Sequence, residues 1–588
     1  MSDVTSTSDS KTLVVIIHAW GGNAATMASV AEAVKSLIPN ATAFLPDLPL
    51  GFASLQNLDR LAAAIIDRGP DHDRIRGADG RTIEDYRDFR DKQGYAPFDN
   101  IILVGHSLGG LLARKVYLLA CGANNAPPSR QRESQGIPRP WADSITRIVL
   151  FSALNRGWSL NHHLPPAKAL WAAFGMFLGE FIRTFFNVSA AAFQVRRGSA
   201  FITALRLQWL EVMTQRIFDK RPIPITVQLL GSIDDLVSPD DNVDLDTGQS
   251  FYYLDVPKST HVNVVAFDDT KPGKARRDIF AQALLESAAQ LDDRSLVPVD
   301  AEFQRAIPHV TDVIFVIHGI RDLGYWTHKV ARRILAEAKA SGRVFVSRTP
   351  TYGYFPMLAF ILPWMRRRKV EWLMDQYVRA RALYPDARFS YVGHSNGTYM
   401  LSSALEHYPK CQFDRVVFAG SVVNRRYDWD RVIKCGQVQA IANYVATADW
   451  VVAVLPGLFE QVPVQDLGAA GHLGFRFTSP VTATTAGLEN LDYIKGDHSA
   501  ALVEDNWTDI AKFIVTGVPQ KPRVYTLTEQ QSALIKWSYR LSPLIWLFGI
   551  FLAVLALLGI CLLPVPEWLR TILVLAYLWL VWFVLTWF

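Results

Sequence analysis

Cysteine is scarce: the 588-residue chain has four, Cys121, Cys411, Cys435 and Cys561, far apart and never as a C-x-x-C pair. That spacing reads as neither a disulfide framework nor a zinc knuckle, and thiols this sparse suit a reducing compartment. An excess of one charge is missing too. Lys and Arg number 60 against 55 Asp and Glu, a net charge of +5, too dilute over this length for a nucleic-acid partner. No helix-turn-helix, zinc-finger or RRM signature appears either. Residues 1–11 are polar and lack the basic and apolar regions of a secretory signal. Half the residues are apolar, which excludes a disordered tail protein and a collagen-like fibre. At roughly 100 to 200 residues per domain, the length calls for more than one core.

The apolar residues concentrate at the C-terminus, and they account for the positive mean hydropathy of +0.12. Pro543–Leu563 and Thr571–Phe588 carry no charge, and each is near the length of a membrane span. The short, proline-rich connector between them, Pro564–Arg570, predicts a helical hairpin with both ends on one side of a bilayer. Lys521, Arg523, Lys536 and Arg540 precede it, while the connector offers only Arg570 against Glu567. The positive-inside rule then places the bulk of the protein on the cytoplasmic side of a two-span, multi-pass anchor. The alternative is a buried core hairpin of a soluble domain. The Trp-rich hairpin also offers a surface for oligomer formation.

Upstream, one set of elements occurs twice. A β-branched run ends at His18-Ala19-Trp20 and another at His318-Gly319-Ile320. Ile101–Val104 leads into Gly105-His106-Ser107-Leu108-Gly109 and a helical pattern, as Phe389–Val392 leads into Gly393-His394-Ser395-Asn396-Gly397 and another. Strands running into Asn155-Arg156 and Asn424-Arg425 follow, then strands ending near Asp234 and Asp449, then Thr260-His261 and Asp497-His498. Five elements in one order predict two homologous domains. Strands alternating with helices predict α/β domains, each a mostly parallel sheet of about six strands flanked by helices. The expected boundaries are 1–295 with a cap insertion at about 156–222, 305–518, a linker helix over 519–542, and the transmembrane hairpin over 543–588.

G-x-S-x-G between a strand and a helix has the form of a nucleophile elbow, where strained backbone angles expose the serine Oγ. A serine hydroxyl is a weak nucleophile. It needs an imidazole to take its proton and a carboxylate to orient and stabilise that imidazole. Both halves supply the order serine, acid, histidine: Ser107, Asp234 and His261, then Ser395, Asp449 and His498. Asp234 is preferred to Asp235 because Asp-x-x-Val aligns with Asp449-Trp450-Val451-Val452, and Asp235 stays open.

On these motifs both halves resemble the α/β-hydrolase superfamily, within it the lipases and esterases with short cores. The hairpin is outside the resemblance. The resemblance implies an oxyanion hole from the N–H after each nucleophile, Leu108 and Asn396, and one from the loop after each early strand, Trp20 and Ile320. It implies no cofactor and no metal. Ala19, where the second half has Gly319, departs from the family's His-Gly pattern and is expected to restrict that loop.

Other residues suggest sites less strongly. His106 and His394, beside the serines, read as packing residues, and His18 and His318 as loop organisers. Asp71-His72-Asp73 and His162-His163 read as surface loops rather than metal ligands. Ala167–Phe186 reads as a lid or interfacial helix, or equally as a cap packed on its own domain. Phe355–Met365 runs into Arg366-Arg367-Arg368-Lys369, which suits contact with anionic head groups or else is a solvated basic turn. The resulting expectation is a membrane-anchored serine hydrolase acting on lipid or other hydrophobic acyl esters. The alternatives are a non-catalytic membrane scaffold, a membrane-disrupting lipase effector, and a thioesterase or amidase using the same triad.

Overall fold

The computed structural model describes residues 12–51, 54–66, 76–77, 98–127, 129, 136, 138–159, 190–234, 251–295, 307–322, 324–461, 465–476, 487–519 and 531–587. The chain divides into two compact units, residues 1–126, 131–305 and 377–383, and residues 127–130, 306–376 and 384–588.

In the first unit, β1 (Thr12–Ile17), β2 (Ala41–Phe44), β3 (Asn100–His106), β4 (Ile145–Phe151), β5 (Ile225–Gly231) and β6 (Phe251–Val256) form one sheet in the order β2-β1-β3-β4-β5-β6. Every pairing is parallel. Apolar runs such as TLVVII suit strands buried on both faces. Val14, Ile16, Ile102, Val104, Val149 and Phe151 face one layer, which contains α1 (Ala28–Leu37) and α5 (Lys271–Leu285). Val15, Ile17, Leu103 and Leu150 face the other, which contains α2 (Leu58–Ile66), α3 (Leu108–Ala120) and α4 (Ala200–Phe218). Helix α4 falls inside the expected cap insertion, yet it is part of the sheet's own packing. Its Trp209 lies under the Arg114 guanidinium at 4.5 Å, and its Gln208 accepts a hydrogen bond from the buried Lys115 ammonium at 2.8 Å. Residues 160–189, including Ala167–Phe186 and His162-His163, lie outside the described residues, as do Asp71-His72-Asp73, Asp235, Lys521 and Arg523.

The second unit repeats this topology. Strands β7 (Asp312–Ile317), β8 (Phe345–Arg348), β9 (Arg388–His394), β10 (Phe413–Ala419), β11 (Val438–Ala446) and β12 (Leu488–Ile494) form a parallel sheet in the order β8-β7-β9-β10-β11-β12. Helices α6 (Thr327–Ala340) and α12 (Trp507–Thr516) cover one face. In each sheet the strand order reverses beside the first strand of the unit. There the loops at the strand C-termini open a crevice, the usual place for a ligand in an open α/β sheet.

One expectation needs correction. Arg366-Arg367-Arg368-Lys369 is neither a turn nor a free cationic patch: it lies within α8 (Pro363–Leu383), which follows the short α7 (Met357–Ile361). Arg366 is fully buried, donates to the Phe360 and Ile361 carbonyls, and pairs with Asp466 at 2.8 Å. Lys369 donates to the Tyr352 carbonyl at 3.0 Å, and burial pulls its pKa down. A planar guanidinium can satisfy several carbonyls while desolvated, a property a count of cations does not reveal. Of the expected linker helix over 519–542, residues 520–530 lie outside the described residues; the remainder holds α13 (Ala533–Arg540), which ends at Leu541 before the hairpin.

The hairpin consists of α14 (Ser542–Cys561) and α15 (Glu567–Trp587), both long and apolar enough to cross a membrane, with neither apolar stretch buried within the protein. This exposure disagrees with a buried core hairpin. The connector is tighter than Pro564–Arg570, because helix α15 begins at Glu567 and Arg570 donates back to the Leu563 and Val565 carbonyls at 3.2 and 3.3 Å. The Tyr577 hydroxyl donates to the Ala553 carbonyl of the facing helix at 2.8 Å, so this phenol needs no water.

Candidate active site

Ser107 has φ 54° and ψ −118°, and Ser395 has φ 52° and ψ −118°. These angles are disfavoured for any residue with a Cβ and lie at the junctions β3–α3 and β9–α9, α9 being Asn396–His407. The flanking glycines allow the turn because it folds onto backbone. A Cβ on Gly105 would run into the Gly109 carbonyl, and one on Gly109 would meet the His18 carbonyl oxygen at 2.5 Å. Gly109→Ala is therefore expected to lower the unfolding free energy by about 1–3 kcal/mol, seen as a fall in Tm. An unchanged Tm would mean that the elbow has room to spare.

The first unit brings three of the singled-out side chains together. His261 Nε2 lies 2.9 Å from Ser107 Oγ, and His261 Nδ1 lies 3.0 Å from Asp234 Oδ2. Nδ1–H donates to the carboxylate, which leaves Nε2 to accept the serine proton. The acid and base loops are laced to each other: the Ser232 N–H donates to the Val256 carbonyl at 3.1 Å, and the Ile233 N–H to the Ser259 carbonyl at 3.1 Å. Arg276, reaching Ser259 Oγ at 2.9 Å, braces the histidine loop.

In the second unit, His498 Nδ1 lies 2.9 and 3.1 Å from the two oxygens of the fully buried Asp449. Ser395 and His498 share this crevice without a direct hydrogen bond. Asp449 also accepts the Val452 N–H at 3.0 Å, capping α10 (Trp450–Gln461). Burial alone would raise the Asp449 pKa and lower that of His498. The mutual charge and hydrogen bond outweigh it, so Asp449 lies below its ordinary value and His498 above. Gly420, at φ 54°, makes room for the imidazole, since a Cβ there would meet His498 Cε1 at 2.6 Å. Ser152 occupies the matching position after β4 and also has positive φ, 42°.

Leu108 and Asn396 are the first residues of their helices, so their N–H groups have no intrahelical acceptor. The loops holding Trp20 and Ile320 share a bonding pattern. His18 Nδ1 donates to the Ala19 carbonyl at 2.8 Å and His318 Nδ1 to the Gly319 carbonyl at 2.9 Å. In a trans peptide the N–H points opposite to the C=O, so these bonds aim the Trp20 and Ile320 N–H groups away from the histidines. Gly21 then donates to the Leu50 carbonyl, as Arg321 does to that of Phe355. Ala19 leaves this pattern intact. At Gly319 a Cβ would lie 2.7 Å from Ser395 Cβ, so the second loop needs its glycine.

His106 and His394 turn away from the serines: their Nε2 atoms donate to the carbonyls of His261 and His498 at 2.7 and 3.3 Å. Burial, with the neighbouring histidine adding to it, pushes their pKa values down to about 4 and about 3. They stay neutral donors supporting the histidine loops. Sequence reasoning missed Tyr352, whose buried hydroxyl lies 2.7 Å from the Gly319 carbonyl, 2.9 Å from that of His318, and accepts Asn396 Nδ2 at 3.2 Å. It fixes the second oxyanion loop, and nothing in the segment Thr351-Tyr352-Gly353 signals that role. Among the described residues no cluster of three or more His, Cys, Asp or Glu side chains could hold a metal ion.

No curated protein matches this chain. Among solved structures it is similar to the RedJ thioesterase of the prodiginine biosynthetic pathway in Streptomyces coelicolor, at 15% identity over 46% of this chain and 85% of that one, TM-score 0.23. It is also similar to a monoacylglycerol lipase from Paleococcus ferrophilus, at 12% identity over 46% of this chain and 93% of that one, TM-score 0.25. Phospholipase PlaB from Legionella pneumophila is similar at 13% identity over 49% of this chain and 63% of that one, TM-score 0.30. The model of the alpha/beta hydrolase family matches residues 14–346, more than half of the sequence, and the chain belongs to that family.

Proposed function

We propose that this hydrolase is a membrane-anchored serine hydrolase cleaving carboxylic esters, in particular lipid or other hydrophobic acyl esters, through an acyl-enzyme. The observation that carries the reading is His261, within hydrogen-bond reach of Ser107 Oγ on one side and Asp234 on the other. Ser107 Oγ attacks the ester carbon while its proton passes to His261 Nε2. The carbon–oxygen bond to the alcohol then breaks, and the alcohol leaves with that proton. Water, deprotonated by the same nitrogen, attacks the acyl-enzyme, releases the acid and returns the proton to Ser107. The N–H groups of Trp20 and Leu108 stabilise the tetrahedral oxyanion, and those of Ile320 and Asn396 do so in the second unit.

The two units act as copies of one catalytic design, with Ser395, His498 and Asp449 in the same roles. The shared strand order and the paired serine angles support this. The hairpin α14–α15 is the anchor, with the hydrolase units on the cytoplasmic side. Labelling of the intact protein by a fluorophosphonate tests the proposal. Both Ser107→Ala and Ser395→Ala are expected to lose part of the label, and the double variant all of it. An unlabelled but folded wild-type chain would leave the scaffold reading standing.

A further inference from the structure

The hairpin belongs to the second unit, and it touches the elements that carry that unit's site. Helix α10, which Asp449 caps, packs against α13 and α14. The Trp546 indole N–H, one turn into α14, donates to the Val454 carbonyl of α10 at 3.1 Å. Gly457 admits the Tyr539 ring so closely that a Cβ there would meet Tyr539 Cδ2 at 2.7 Å. Gln461, at the end of α10, donates to the Tyr539 carbonyl at 2.6 Å and to Ser542 Oγ at 3.1 Å. The segment entering α13 reaches the same loop, with the Ser532 N–H donating to the Thr447 carbonyl at 3.2 Å. The oxyanion loop is tied in from the other side. Arg321 donates from its backbone to the Phe355 carbonyl at 3.1 Å, and its guanidinium lies 3.5 Å from Met357 Sδ. Met357 opens α7, which packs against α15.

Two loops of the second site therefore rest on the two spanning helices. Helix α10 thus ties the Asp449 end of the second site to α13 and to the first turns of α14, and lipid acyl esters lie at the boundary between headgroups and hydrocarbon, where an apolar helix enters a bilayer. At the start of α10 Trp450 is 58% exposed, and α13, packed on α10, exposes Leu534 and Trp537 beside Lys536 and Arg540, with Leu541 exposed just after it. Aromatic, apolar and basic side chains together suit an interface with phospholipid head groups.

We infer that the Ser395 site acts on the acyl esters of glycerolipids resident in the bilayer, taken up at the base of the hairpin. This rests on the proposed membrane-anchored serine hydrolase and assigns its lipid substrate to one of the two sites. The test uses the full-length chain reconstituted in vesicles of phosphatidylcholine and phosphatidylglycerol, reading fatty-acid release, with p-nitrophenyl butyrate as the dissolved substrate. The Ser107→Ala chain is expected to release fatty acid, and adding Ser395→Ala to lower that release at least about a thousandfold. Adding Trp546→Ala to Ser107→Ala should leave butyrate hydrolysis unchanged and cut fatty-acid release about tenfold or more, because α10 is no longer fixed to the base of the hairpin where the bilayer ester would enter. The inference is overturned if Ser107→Ala hydrolyses butyrate but releases no fatty acid, or if Trp546→Ala lowers neither activity. Failure of both serines to take up fluorophosphonate is a different result: it removes the serine-hydrolase reading itself.

Discussion

In a Ser395→Ala background, Ser107→Ala is expected to lower kcat for a dissolved ester about a millionfold, equivalent to about 8 kcal/mol of transition-state stabilisation. The loss is this large because serine and histidine act as one unit. Without Oγ no acyl-enzyme forms, and only the oxyanion donors and binding remain to accelerate attack by water. Asp234→Asn in the same background should cost about ten-thousandfold, because an amide facing His261 Nδ1 stabilises the wrong tautomer. Steady-state and burst kinetics on the single-site chain read both effects. A Ser107→Ala chain that still shows a burst would place the nucleophile elsewhere.

The second large effect concerns the other site. In a Ser107→Ala background, Asp449→Asn is expected to lower kcat about ten-thousandfold and to move the pH profile in a stated direction. His498 must be neutral to accept the Ser395 proton, and its pKa lies above the ordinary histidine value because the Asp449 charge outweighs burial. The kcat/KM of the Ser107→Ala chain should therefore fall as pH drops, with a midpoint above the unperturbed value of about 6.5. Replacing the anion with an amide leaves burial as the main influence on the imidazole, so the acid limb should shift to lower pH. A profile that does not move on Asp449→Asn would show that His498 is not the base, or that Asp449 is not its partner.

Much of the architecture was legible because it depends on local rules. Apolar β-branched runs followed by glycine-flanked serines and helical patterns announce strand, elbow and helix, and Gly105 and Gly109 must be glycine for steric reasons within a few residues of themselves. The order serine, acid, histidine was readable for the same reason: each residue follows a strand, and parallel strands deliver their C-termini to one edge. The hairpin was readable from length and the absence of charge. Its helix start at Glu567 was not, because Arg570 satisfies the connector carbonyls through space.

Where two segments distant in sequence had to be compared, the sequence said less. It preferred Asp234 only by alignment with Asp449 and left Asp235 open. In the fold the Asp234 carboxylate meets His261, while Asp235 lies outside the described residues. It showed four consecutive cations at 366–369, and folding buries Arg366 against Asp466, a hundred residues on. It gave no sign that Tyr352 braces the oxyanion loop or that α4 is a core helix.

The amino-acid order by itself determined the two parallel sheets, the strained serines at their edges and an apolar hairpin at the end, since these follow from periodicity, steric exclusion and hydropathy over short windows. Tertiary structure alone decided that the chosen carboxylates come within hydrogen-bond reach of their imidazoles, that Arg366 is buried, and that the hairpin packs against α10. Those outcomes depend on distances between residues tens to hundreds of positions apart, and only the packed chain sets them.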